Sequence, residues 1–127
     1  MPRSDPTQEV AEWRQRVRME PADAEARLRL GSWLETTRDF PAAIDEYRQS
    51  IALFEGGEEI TAIQVQMYIL AHYRLGCALA NVGDVEGAHT AWLATIDLCR
   101  RTMPNVPEEM NQMLRMAQAA LDGSVPQ

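Results

Sequence analysis

The chain has 127 residues and a formal net charge of −7, with 46% apolar and 24% charged residues. That length matches one domain, 1–127, large enough to bury a core. The acidic balance argues against general nucleic-acid binding, which needs a clustered basic face, and against docking on anionic membranes. All twelve basic residues are arginine. Codon usage in a GC-rich genome explains this more simply than selection for bidentate anion contacts.

Alanine, leucine, glutamate, arginine and methionine dominate, and these are good helix formers. Val, Ile and Thr never cluster into alternating runs, so the fold class predicted is all-α. Two cysteines, Cys77 and Cys99, give no disulfide framework. The segment from Met1 to Pro6 has no apolar core like that of a signal peptide, and no stretch approaches the roughly 18 apolar residues of a membrane span. The expected location is the cytoplasm, with no membrane partner.

Helix signals follow in chain order. Asp5-Pro6 opens the first helix, with Gln8 placed to complete a capping box. Val10, Trp13 and Val17 share one face, and Glu20-Pro21 ends it. Asp23 caps a second helix running to about Thr36, with Ala26, Leu30, Trp33 and Leu34 apolar. Asp39 caps a third, in which Phe40, Ala43, Ile44, Tyr47, Ile51 and Phe54 recur at amphipathic spacing until Gly56-Gly57. A long fourth helix is predicted over 58–82. Gly83-Asp84 then turns into a fifth over 85–101, with Ala88, Trp92, Ile96 and Cys99 inward. Pro104 and Pro107 bracket a break before a last helix over 107–121, which Gly123 stops.

The segments repeat. Leu30-Gly31 returns as Leu75-Gly76, Ala43 as Ala88, Tyr47 as Trp92 and the cap Asp39 as Asp84. Small residues at Gly31/Gly76 and Ala43/Ala88 let two antiparallel helices approach closely, while a large ring fills the space beside them.

This pattern resembles the tetratricopeptide repeat (TPR), W-x2-L-G-x2-Y, then A-x3-F, then P. One copy reads Arg27-x2-Leu30-Gly31-x2-Leu34, then Ala43-x3-Tyr47; the next reads His72-x2-Leu75-Gly76-x2-Leu79, then Ala88-x3-Trp92. Both depart at the two first-helix aromatics, and Glu55 and Arg100 stand where the family has its Pro. Trp13 precedes Tyr47 by 34 residues, the family period, and Pro21 falls where the terminal Pro belongs. The step from Tyr47 to Trp92 is 45 residues, so the second copy has an extended first helix. The resemblance implies antiparallel helix pairs stacked as a short right-handed solenoid of about six helices. Its parts are a half repeat (6–20), two repeats (23–55 and 58–101) and a C-terminal capping helix (107–121).

The resemblance further implies a non-enzymatic module that holds a peptide or helix of another protein in a concave groove lined by the first helix of each pair. The groove residues it points to are Leu28, Arg29, Ser32 and Glu35 in the first copy. In the second they are Leu70, Tyr73, Arg74, Cys77 and Asn81. Some family members grip a C-terminal carboxylate with Lys and Asn; that set is missing, because there is no Lys and Ser32 and Cys77 replace the Asn. A second expectation is self-association. Ile60, Ile63, Met67 and Leu70 extend the apolar stripe of the fourth helix, and Met110, Met113 and Met116 form a stripe on the last.

No catalytic constellation is visible: there is no phosphate-binding Gly loop and no nucleophile elbow. His72 and Cys77, even with His89 nearby, fall short of a zinc site. Glu58-Glu59 and Glu108-Glu109 fit the first turns of helices, where they meet the helix dipole. No cofactor or metal is expected.

Overall fold

Among the described residues six α-helices run in order: α1 (Pro6–Met19), α2 (Ala24–Thr36), α3 (Phe40–Gly56), α4 (Ala62–Asn81), α5 (Val85–Thr102) and α6 (Glu108–Leu121). The computed structural model describes residues 5–57, 61–102 and 108–123, and among these there is no strand. The chain is all-α, as its composition predicts.

The caps explain where the helices start. Asp5, Asp23, Asp39 and Asp84 each accept a hydrogen bond from a first-turn amide, at 2.9 Å from Thr7, 3.1 Å from Ala26, 3.4 Å from Ala42 and 2.9 Å from Gly87. Two details differ from expectation. Gln8 does not complete a capping box at Asp5; its amide reaches forward to Glu12 at 3.3 Å. The fourth helix begins at Ala62, not near 58, because Thr61 and Gln64 form a reciprocal capping box at 3.2 and 2.9 Å. Glu58, Glu59, Ile60, Pro104 and Pro107 lie outside the described residues.

Packing follows sequence order. Each helix packs on the next, and among the described residues only α2 and α4 show a substantial further contact. The main core draws on α1 through α6, including Val10, Val17, Leu30, Leu34, Ile44, Ile51, Leu75, Leu79, Ile96 and Ala117. Trp13 is partly buried against it, with the guanidiniums of Arg16 and Arg29 5.7 and 5.8 Å from its ring centre. A smaller cluster of Ile69, Cys99 and Met110 ties the start of α6 to α4 and α5.

The two central pairs, α2–α3 and α4–α5, correspond residue by residue at a spacing of 45. A Cβ on Gly31 would lie 2.5 Å from the Tyr47 ring, and one on Gly76 would lie 2.5 Å from the Trp92 ring. Only glycine lets the second helix seat its aromatic against the first helix at that distance. Ala43 and Ala88 are both buried beside this crossing. The turns match too: Arg38, with φ 65°, and Gly83, with φ 85°, occupy the same left-handed position.

Candidate functional site

The helices α2, α4 and α6 share one face, and two cavities open on it. One, about 440 Å³, lies between α2 and α4, where Leu28, Arg29, Ser32 and Leu70 line it together with Glu25, Trp33, Thr36 and Met67. The other, about 420 Å³, lies between α4 and α6, lined by Ile63, Gln66, Met67, Leu70, Tyr73, Arg74, Met110, Gln112, Met113 and Met116. Met67 and Leu70 belong to both, so the two hollows meet over the middle of α4.

The gap between α4 and α6 follows from how α6 is held. It packs chiefly on α5, with Ala117 fully buried and Met110 nearly so. Its methionines at 113 and 116 line the cavity on the side opposite the α4 stripe. Tyr73 closes one end, its hydroxyl 3.8 Å from the Met116 sulfur. The stripe on the fourth helix and the methionine stripe on the last, two separate features in the sequence, become opposite walls of one groove. Periodicity alone carries no signal for that pairing. Ile63 and Met116, at 65% and 58% exposure, form its rims.

Of the groove residues expected from sequence, Leu28, Arg29, Ser32, Leu70, Tyr73 and Arg74 line these cavities. Leu28 does so from a buried position in the core. Glu35, Cys77 and Asn81 line neither. Glu35 is half-buried and accepts a hydrogen bond from the Tyr47 hydroxyl. Burial pushes the Glu35 carboxyl up, and the Tyr47 bond and the Arg74 charge offset part of that. Burial also pushes the Tyr47 hydroxyl up, and Glu35 adds to the rise. Cys77 sits below the surface beside Tyr73 and Trp92; burial raises its thiol, which keeps it in the unreactive protonated form. Tyr73 is pushed up to about 12, chiefly by burial. Asn81 bonds back to the Cys77 carbonyl at 2.9 Å near the end of α4.

Charge on the face is sparse. Arg29 is paired with Glu25 at 3.0 Å. Arg74 is exposed and, among the described residues, has no carboxylate within ion-pair distance. The described residues contain no group of three or more His, Cys, Asp or Glu able to hold a metal ion. Cys77 and Cys99 are free thiols. No described helix is long and apolar enough to cross a membrane.

The chain matches no protein-family model, no curated protein and no solved structure at a significant level.

Proposed function

We propose that this chain is a short TPR-type helical-repeat protein of the cytoplasm. Its concave face, formed by α2, α4 and α6, holds a helix or peptide of another protein without catalysing a reaction. The carrying observation is the pair of cavities that meet at Met67 and Leu70 on the face shared by the alternate helices. Further support comes from the register of Gly31 with Tyr47 and Gly76 with Trp92, which gives the LG and A-x3-aromatic motifs one common physical role. Neighbour-on-neighbour packing is also what a repeat stack requires. The perturbed groups on the face serve packing: Glu35 is committed to Tyr47, and the Cys77 thiol is raised rather than activated.

The test is capture from extract of the source organism by wild type and by a Tyr73→Glu/Arg74→Glu variant, read by mass spectrometry. A protein held by wild type and lost by the variant supports the reading. Identical captures overturn it.

A second reading has its own observation. The rim residues Ile63 and Met116 are apolar and largely exposed, and a second copy of the chain would bury them. Sedimentation of wild type beside Met116→Asp decides it: self-association lost in the variant favours an assembly subunit, and a monomer in both excludes it.

A further inference from the structure

We propose that the occupant of the α4–α6 groove is an amphipathic helix of a partner protein that carries an apolar stripe and, at one end of it, a side-chain carboxylate paired with Arg74. This rests on the reading of the shared face as a protein-binding groove and adds the chemistry of the partner.

The groove is bounded by two helices and offers no strand edge to extend, so it accepts side chains rather than backbone hydrogen bonds. That is the setting in which an amphipathic helix lays an apolar face down, with anchors at i, i+3 or i+4, and i+7. The opposing walls are Ile63, Met67 and Leu70 on one side and Met113 and Met116 on the other. Methionine is unbranched and polarisable, so these walls adapt to irregular side chains. From Ile63 to Arg74 the α4 wall spans eleven residues, or about 16 Å at helical rise, which is the length of about three turns of a partner helix.

Among the described residues lining this groove, Arg74 is the only charged one; Gln66 and Gln112 are neutral. The nearby acid whose charge it feels, Glu35, is half-buried and already accepts from Tyr47. The guanidinium therefore faces the groove with its donor fork unused by any carboxylate among the described residues. A carboxylate matches that fork bidentately, and apolar surroundings strengthen the pair. A partner lysine at the same place would meet like charge. A polyanion such as RNA would meet one arginine against a net charge of −7.

The experiment is selection of a displayed library of 14-residue helical peptides, randomised on one face among Leu, Ala, Ser, Glu and Lys. The intact chain is the bait, in parallel with its Arg74→Glu variant. The enriched peptide is then titrated into protein labelled with ¹³C at the methionine methyls. Wild type is expected to enrich Leu at helical spacing with Glu at one end, and the variant to enrich Lys there. Replacing that Glu by Gln is expected to weaken binding about tenfold. The methyls of Met67, Met110, Met113 and Met116 are expected to shift while exposed Met19 stays. Apolar stripes without a charge preference, or the same charge enriched by both baits, overturn the carboxylate inference and leave the groove reading standing. No enrichment, or shifts that spare the four groove methionines, overturns both.

Discussion

The two central helix pairs share one backbone plan and treat their polar side chains differently. In α2–α3, Arg27 lies against Glu46 at 2.9 Å with both side chains largely buried, and also donates to the Pro21 carbonyl at 2.9 Å. Tyr47, fully buried, donates to Glu35, with Ser32 Oγ 3.5 Å away. In α4–α5 the residues 45 positions later are His72 and Ala91, Trp92 and Ala80, and Cys77 in place of Ser32. Among the described residues, buried His72 Nε2 has no hydrogen-bond partner, and the buried Trp92 indole N–H has no oxygen to donate to, only the weakly accepting Cys77 thiol beside it. Both pairs have the aromatic wedge, and only the first has its polar support. Packing at Gly31 and Gly76 fixes how the helices cross, while the hydrogen bonds secure only one of the two crossings. The pair that supplies most of the α4–α6 groove is thus the less constrained one.

Breaking the polar support should hurt the first pair most. Arg27→Ala leaves Glu46 without its partner in a largely buried position and should lower stability by about 3 kcal/mol in urea unfolding. The matching change in the second pair, His72→Phe, removes an unpaired nitrogen, keeps the ring edge-on to Tyr68 at 5.0 Å, and should raise stability by about 1 kcal/mol. It should also change the pH profile. Burial lowers the His72 imidazole below its ordinary 6.5. The unfolded chain therefore binds a proton more readily than the folded one. The wild type should lose stability as pH falls below about 6.5, and His72→Phe should lose less over the same range. Glu35, raised by burial, works in the opposite sense: its contribution is full below the ordinary carboxylate value and declines as pH rises through its folded value.

Tightening the crossings should come next. Gly31→Ala and Gly76→Ala each place a methyl 2.5 Å from a ring. Tyr47 is pinned by its hydroxyl, so Gly31→Ala should cost about 2 kcal/mol despite the gain in helix propensity. Trp92 can yield, so Gly76→Ala should cost no more than about 1 kcal/mol by the same measurement. Equal losses would mean that the hydrogen bonds of Tyr47 do not set how far the crossing can relax.

Restoring the missing support should give a smaller gain. Cys77→Ser returns the hydroxyl that the first pair has at Ser32 and should stabilise by about 1 kcal/mol if it reaches the Trp92 N–H; indole fluorescence would report the new bond. The smallest effect concerns the turns. Arg38 holds the left-handed position that Gly83 fills in the second pair, with its guanidinium 5.5 Å from the Phe40 ring centre. Arg38→Gly should raise stability slightly, by about 0.5 kcal/mol in urea unfolding, as relief of φ outweighs the lost ring contact and the added chain freedom.

Much of this architecture was legible because its causes are local. Asp at the start of four helices, Gly at 57, 83 and 123, and the three-and-four spacing of Tyr47, Ile51 and Phe54 each act within a few residues. The start of α4 lies later than the expected 58 because Glu58-Glu59 favours a helix start only through the dipole, whereas the bonds that cap the helix belong to Thr61 and Gln64. The face of α2 and α4 was half legible. Leu70, Tyr73 and Arg74 followed from the repeat register, but Glu35 points its carboxylate at a tyrosine twelve residues away and so leaves the surface. Gln66 and Gln112 were not seen at all, because what selects them is the placement of α6 beside α4, a consequence of packing on α5.

The placement of α6 also bears on time. Helices that touch mainly their sequence neighbours close short loops, so folding can begin at any hairpin and spread along the chain. The same arrangement allows unfolding from an end without disturbing the middle. Since α6 packs chiefly on one neighbour, its amides should exchange with deuterium through a local opening, well before those of α2 and α3. The groove would then vanish and re-form with that opening. A partner that bridges α4 and α6 should reveal itself as much by slowing exchange in the last helix as by its affinity.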